Sequence, residues 1–318
     1  MSDKYDYSAL LARTKLVPAN IPGRGLCLLD DIYEFQSAVP TEKENLNTFV
    51  SEKIKEIASK YKVIAPKIPV LPEVVTISEC SGSSNGLTAF PIGIEKESLE
   101  VRTIDITKNF GHLFTALEIE SLKVFSNMMI KQFAGILNKN VYVFDTEKMM
   151  NTYASEVSYY DSNIPVNFKT FSELISKMYT DFEQSGFDEN SLASYGQYVF
   201  IIVGMEKFKT LLGTEFTPLF SDVVTKIKNM PKVNLVVIDA VDNIKKSEFD
   251  QWYKALFNGT RGVWIGNGLG SQFTLKSTLS TRLLSAKITD DFGYYVDGST
   301  TVLVKTITEP GEEEYETL

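Results

Sequence analysis

From His112 onward, short apolar β-rich segments alternate with helical ones, and no other property of this chain narrows its fold as much. Strands are expected at 112–115, 141–144, 198–203, 234–238 and 263–265, with helices at about 119–137, 171–184, 217–228 and 247–257. Strands this uniformly apolar are buried on both faces, and a parallel sheet joined by crossover helices provides that burial. The fold class expected is therefore α/β, a mostly parallel sheet with helices on both faces. Two further strands near 293–296 and 301–305 close the chain around the turn Asp297-Gly298.

The first strand of the series leads into a loop with the layout of a phosphate-binding loop but without its glycines. His112-Leu113-Phe114-Thr115 is followed by Ala116-Leu117-Glu118-Ile119-Glu120-Ser121-Leu122-Lys123 and then by the apolar-periodic run Val124 to Ile130. A working loop needs glycines so that successive N–H groups can curl around phosphate oxygens, a lysine for the terminal phosphates and a Ser/Thr for magnesium. Here Lys123 falls on the lysine position and Ser121 on a loop position. Leu117, Glu120 and Leu122 stand at glycine positions, and Val124 replaces the magnesium ligand. β-Branched Ile119 resists positive φ. A carboxylate about 4 Å from a phosphate oxygen is repulsive by roughly 4 kcal/mol at an effective dielectric near 20. ATP and Mg2+ are thus possible ligands that the loop itself disfavours, and the residues name no other cofactor and no catalytic group.

Composition excludes several other functions. The 318 residues are 43% hydrophobic, enough for a large core, and 41 acidic residues outnumber 32 basic ones for a net charge of −9. That balance gives no electrostatic footprint for nucleic acid. No stretch approaches the ~18 apolar residues of a membrane span, and MSDKYDYSALLARTK lacks the apolar centre of a signal peptide. Cys27 and Cys80 are isolated, and the single histidine, His112, leaves neither a Ser-His-Asp triad nor a His-rich metal site.

Residues 1–40, broken by Pro18, Pro22, Gly23 and Gly25, read as an arm. Thr41 and Glu44 form a capping box before a helix carrying Leu46, Phe49, Val50, Ile54, Ile57 and Tyr61, and Pro66, Pro69 and Pro72 end it. Short β-rich pieces are expected at 74–77, 87–94 and 101–106. The domain so bounded runs over 41–308, and 309–318, with five glutamates, reads as a disordered acidic tail.

Three other places could carry chemistry. Leu235 to Asp239 looks like a strand ending in a magnesium-binding aspartate, although an aspartate there also caps helices, and the preceding strand ends without an acid in Gly204-Met205. Gly266-Asn267-Gly268-Leu269-Gly270 follows a strand but lacks the helix start of a dinucleotide fingerprint, so it forms either a tight surface loop or a ligand or partner contact. Tyr159, Tyr160 and Phe168 flank the polar loop 161–165 and offer either core or a peptide-docking pocket. Asp291-Phe292-Gly293 has no accompanying kinase motif.

Taken in order, Val17-Pro18 through Arg24-Gly25, Tyr33 to Gln36, Phe90 to Ile94, Trp252-Tyr253, Gly262 to Gln272 and Asp291 to Tyr294 resemble the C-terminal FtsK/SpoIIIE-like module of type VII secretion ATPases, the EssC/YukB/EccC family. The resemblance implies a RecA-like P-loop NTPase fold with small β-rich N-terminal additions, at the end of a motor on the cytoplasmic face of the bacterial cell membrane. It implies partners among small helical-hairpin Trp-X-Gly effectors and adjacent ATPase domains, and residues 1–40 as the link from a preceding module. Membrane attachment would then lie elsewhere in the motor. The family's nucleotide residues carry over only as Ser121 and Lys123, which implies a docking and regulatory module. The alternative is an ATPase completed by neighbouring subunits, with Arg261 or Arg282 as arginine fingers.

Overall fold

The computed structural model describes residues 11, 16–38, 45–61, 69–80, 88–107, 110–257, 261–298 and 300–309. It divides into two compact units, Met1–Ile68 and Pro69–Leu318. The sequence reading places that break after residue 40; the helix it assigned to the main domain lies in the first unit.

In the first unit β1 (Arg24–Leu28) and β2 (Ile32–Gln36) form an antiparallel hairpin with Leu26 opposite Glu34. Helix α1 (Leu46–Tyr61) has an apolar stripe of Val50, Ile54, Ile57 and Tyr61 that stays exposed. The capping box Thr41/Glu44 lies outside the described residues.

The second unit is built on one ten-stranded sheet. Its strands are β3 (Ala89–Glu95), β4 (Val101–Asp105), β5 (Gly111–Ala116), β6 (Val141–Asp145), β7 (Ser158–Tyr160), β8 (Tyr198–Val203), β9 (Val233–Ala240), β10 (Arg261–Ile265), β11 (Phe292–Asp297) and β12 (Thr300–Thr306). The order across the sheet is β4-β3-β12-β11-β10-β5-β9-β8-β6-β7. The six strands from β10 to β7 run parallel, and β11, β12, β3 and β4 extend the sheet antiparallel.

Alternation along each strand builds two cores. Phe200 and Ile202 on β8, with Leu235 and Val237 on β9, point to one face; Val199, Ile201, Val203, Val236 and Ile238 point to the other. The first face is covered by α4 (Ile164–Gln184), α5 (Met205–Leu212), α6 (Phe216–Lys228), α7 (Val241–Lys245) and α8 (Gln251–Leu256), after α3 (Lys123–Leu137) has covered the second. Helices on both faces of a mostly parallel sheet are what the buried strands require.

Three expected elements differ. Residues 74–77 are not a strand: Thr76 and Glu79 make a reciprocal capping box (Thr76 N to Glu79 Oε2, 2.9 Å) that starts the short helix α2 (Ile77–Cys80). Helix α4 begins at Ile164 rather than 171, because Pro165 in its first turn has the φ of a helix start. Of the helix expected at 247–257 only Gln251–Leu256 is helical, and a separate short helix, Val241–Lys245, starts directly after β9. Of the acidic tail, Glu309 is held by Lys131 and by Tyr153 Oη at 2.7 Å, and 310–318 lie outside the described residues.

Candidate functional site

The C-terminal ends of the parallel strands share one edge, where ligands of open α/β sheets bind. Strand β5 ends at the buried Ala116, Leu117 and Glu118 make the crossing, and a single 3-10 turn (Ile119–Leu122) runs into α3. Glu118 is extended (φ −114°, ψ 142°), while Leu122 (φ −81°) and Lys123 (φ −59°) are helical. No residue from 116 to 124 has positive φ. A nest of N–H groups around an anion needs alternating right- and left-handed residues, and this connection has none.

Side chains fill what the backbone leaves. Leu122 is completely buried in the α3 core. The Leu117 side chain lies over the loop after the neighbouring β10, so close that a Cβ added to Gly268 would come within 2.6 Å of it. Glu118 and Glu120 are exposed, Ser121 is half-buried, and Val124 is 54% exposed. Lys123 is also exposed and, among the described residues, makes no ion pair.

The acids are equally committed. Thr115 pairs across the sheet with Asp239 on β9. Asp239 is wholly buried, and its Oδ1 accepts from Ala240 N (2.7 Å) and Asn243 Nδ2 (2.9 Å) while Oδ2 makes no hydrogen bond. Burial raises its pKa, opposed by those donors and by the nearby amides of Glu206 and Met205. Through the Asn243 side chain it ties the end of β9 to α7.

Strand β8 ends at Gly204 (φ +78°), where a Cβ would meet Thr146 Oγ1 at 2.2 Å and Glu147 Oε1 at 2.7 Å. A side chain there would combine a strained φ with crowding against the Thr146 and Glu147 side chains. The neighbouring Asp145, which the sequence reading missed, is buried and accepts from Met150 N (2.7 Å), Tyr159 Oη (2.8 Å) and Glu147 N (3.0 Å). Its only sequence signal was an acid directly after Val-Tyr-Val-Phe.

The aromatic docking candidates separate. Phe168 is fully enclosed, ringed by Phe144, Phe171, Phe200, Phe208 and Phe220, so it supplies core rather than surface. Tyr159 is tied to Asp145, and burial followed by that bond raises its phenol. Tyr160 is half-buried and stacks on Phe144 and Tyr142.

Gly266, Asn267 and Gly268 do form one structure. Gly266 (φ +72°) and Gly268 (φ +98°) are left-handed, and Trp264 Nε1 donates to the carbonyls of Gly266 (3.1 Å) and Asn267 (3.0 Å). Asn267 Oδ1 accepts from Ile288 N at 2.7 Å, which closes the loop against the segment after α9 (Thr281–Leu284). Between loop and helix lies a groove of about 620 Å³ lined by Asn267, Gly268, Gly270, Leu284, Ala286 and Lys287 among others. Its wall is mainly apolar, with one cation.

The opposite edge holds His112 on β5 beside a cavity of about 20 Å³, with Asp105, Tyr295, Asp297 and Arg261 around it. Arg261 is bonded there to Asp297 (2.9 Å), at the end of β10 away from the glycine loop. Burial pushes His112 from 6.5 down to about 4; the nearby Asn234 side chain opposes this, Arg261 adds to it, and Asp105 and Asp297 oppose it. A histidine with a depressed folded pKa binds fewer protons folded than unfolded. Stability is therefore full above the unfolded value and falls as pH drops through the window from 6.5 to about 4, by on the order of 3 kcal/mol. Urea midpoints measured across that window should show a shallower fall for His112→Gln than for the parent chain.

Comparison with known proteins agrees with this architecture. No protein-family model matches. The ESX secretion system protein EccC of Thermomonospora curvata is 28% identical over 145 residues, 44% of this chain and 11% of that protein. Among solved structures, EssC (ATPases 2 and 3) from Geobacillus thermodenitrificans superposes with a TM-score of 0.66 at 13% identity, covering 96% of this chain and 59% of that one. The cytoplasmic domain of EssC gives 0.62 at 14%, covering 96% and 62%. Thermomonospora curvata EccC (ATPases 2 and 3) in complex with a signal sequence peptide gives 0.58 at 17%, covering 93% and 55%. The fold is thus the RecA-like fold of the EssC and EccC ATPase domains, and the chain spans about a tenth of the curated relative's length.

Proposed function

We propose, from the fold shared with EssC and EccC, that this chain is a module of a type VII protein-secretion motor that docks partners and does not turn over ATP. The observation that carries the reading is the connection after β5, which has no positive φ from 116 to 124 and whose Leu122 is completely buried. The missing acid at Gly204 supports it independently. In this role the module works on the cytoplasmic face of the bacterial membrane. Its partners are adjoining ATPase domains and small helical-hairpin Trp-X-Gly effectors.

The groove beside the glycine loop is the docking face this reading favours. A relative of the same fold has been solved with a signal sequence peptide, and an apolar groove with one lysine suits a peptide carrying apolar anchors and a carboxylate. Capture of a purified helical-hairpin effector tests it. Ser271→Arg, which crowds the groove from an exposed position, should weaken capture roughly tenfold, a loss of about 1.4 kcal/mol, whereas Tyr160→Ala should leave it unchanged. The reverse pattern would move the docking face to the aromatic loop. A second reading, an ATPase completed by neighbouring subunits, draws on the exposed Lys123 and on Arg282, which among the described residues also makes no ion pair. Arg261 gives it no support, since that side chain is engaged at the other edge.

A further inference from the structure

We propose that the docking face continues beyond the groove over two exposed phenylalanines, Phe273 and Phe249, and that its partner is an acidic amphipathic helix. The inference rests on the groove being a docking face, and adds the extent of that face and the chemistry of what it takes.

The fold brings the two rings together. Phe273 follows Ser271 of the groove by two residues, about 7 Å of extended chain, and is 91% exposed. Directly after it Thr274 turns inward and is buried, and its Oγ1 donates to Glu248 Oε1 at 2.7 Å. Glu248 precedes Phe249, which is 82% exposed, with Lys254 Nζ 5.7 Å from the centre of its ring. The loop after β10 and the one between α7 and α8 thus each present a phenylalanine at adjoining points of the surface. Single exposed apolar residues are ordinary, but two adjoining phenylalanines beside an apolar groove make a patch of the kind that partners cover. Large rings are also the side chains that carry most of the energy of an interface.

Charge defines the partner. Residues 245–287 hold seven basic residues and two acidic ones, net +5, in a chain of net charge −9. Both acids are occupied, Glu248 by Thr274, and Asp250 by Trp252 Nε1 (3.1 Å) and Lys209 Nζ (3.1 Å). Of the bases, Arg261 is turned to Asp297 at the other edge. Lys254, Lys276, Arg282 and Lys287 are exposed and make no ion pair among the described residues. Beyond Leu117, on the β5 side of the glycine loop, Glu118 and Glu120 are exposed, and they repel an acidic partner and direct it from the groove toward Phe273. Strand order limits the partner's backbone. β10 is paired on both sides, with β5 and β11, so an extended peptide finds no free ladder beside the loop that follows it. A helix satisfies its own backbone and presents only side chains, apolar ones to the groove and rings and carboxylates to the lysines.

The test titrates the intact chain, by fluorescence anisotropy, into two labelled synthetic helices of about 20 residues, each with leucines on one face and either glutamates or lysines on the other. The glutamate helix should bind and the lysine helix should not, and binding should weaken as salt rises to roughly 0.5 M. Phe249→Ser combined with Phe273→Ser should weaken it about tenfold or more, with an unchanged urea midpoint because neither ring is buried. Lys254→Glu combined with Lys276→Glu should weaken it roughly fivefold or more, and Lys177→Glu, exposed on α4, should not. No binding at about 1 mM helix, equal binding of both helices, or binding indifferent to the phenylalanine variant overturns the proposal. So does attachment to phosphatidylglycerol vesicles that the phenylalanine variant loses, which makes the patch a membrane contact, or dimerisation that it loses, which makes a second copy the occupant. Effector capture separates the two readings. If Ser271→Arg weakens capture and the phenylalanine variant does not, only the extension has failed; if Ser271→Arg leaves capture intact, the groove reading itself has failed.

Discussion

Gly204→Asp, which would place an acid at the end of β8, is expected to cost about 4 kcal/mol of stability and to confer no ATP turnover. Three costs combine. A non-glycine residue at φ +78° is strained before any contact is counted. The new Cβ would come within 2.2 Å of Thr146 Oγ1, a hydroxyl already bonded to the carbonyls of Val203 (2.8 Å) and Gly204 (3.0 Å). The added carboxylate would also face Glu147, whose Oε1 lies 2.7 Å from the Cβ position. Urea unfolding measures the loss, and Gly204→Ala separates steric from electrostatic cost by keeping only the first two. A Gly204→Asp chain as stable as the parent would show that the acid position is open, and the argument from this strand would fail.

How much of this was legible in the sequence follows from the range of the interactions involved. The parallel strands were legible because a strand buried on both faces must be apolar throughout, as Phe200-Ile201-Ile202-Val203 is. That the connection after β5 has no positive φ was legible because no glycine stands between Ala116 and Val124. Local caps were harder. Pro165 at the start of α4 was read as a loop residue, and α5 escaped notice because eight residues after a strand carry too few turns for a period to emerge. Long-range facts were out of reach. That Phe168 lies at the centre of an aromatic core while Tyr160 keeps an exposed edge depends on which strand α4 crosses. That Gly204 is blocked depends on β6 and β8 being neighbours, which places Thr146 and Glu147 above it. Asp239 shows the same limit: its spacing suited a metal ligand, and only its contact with Asn243 and its complete burial assign it to the fold.

The larger expected effect is on nucleotide. A working phosphate loop holds Mg-ATP through a ring of amides, a lysine and a metal ligand; here the amides are in a helical turn, the metal position is Val124 and only Lys123 remains. One exposed lysine contributes about 1 kcal/mol or less toward an anion in water, which corresponds to no binding in the micromolar range. Loss of the others should therefore lower affinity by a thousandfold or more relative to an intact loop, roughly 4 kcal/mol. Isothermal titration of the intact chain with Mg-ATP is the most direct measurement. It should give no saturable heat up to about 1 mM nucleotide, and Lys123→Ala should change nothing. A micromolar dissociation constant abolished by Lys123→Ala would contradict the central claim, and would make this chain an ATPase module awaiting its neighbours.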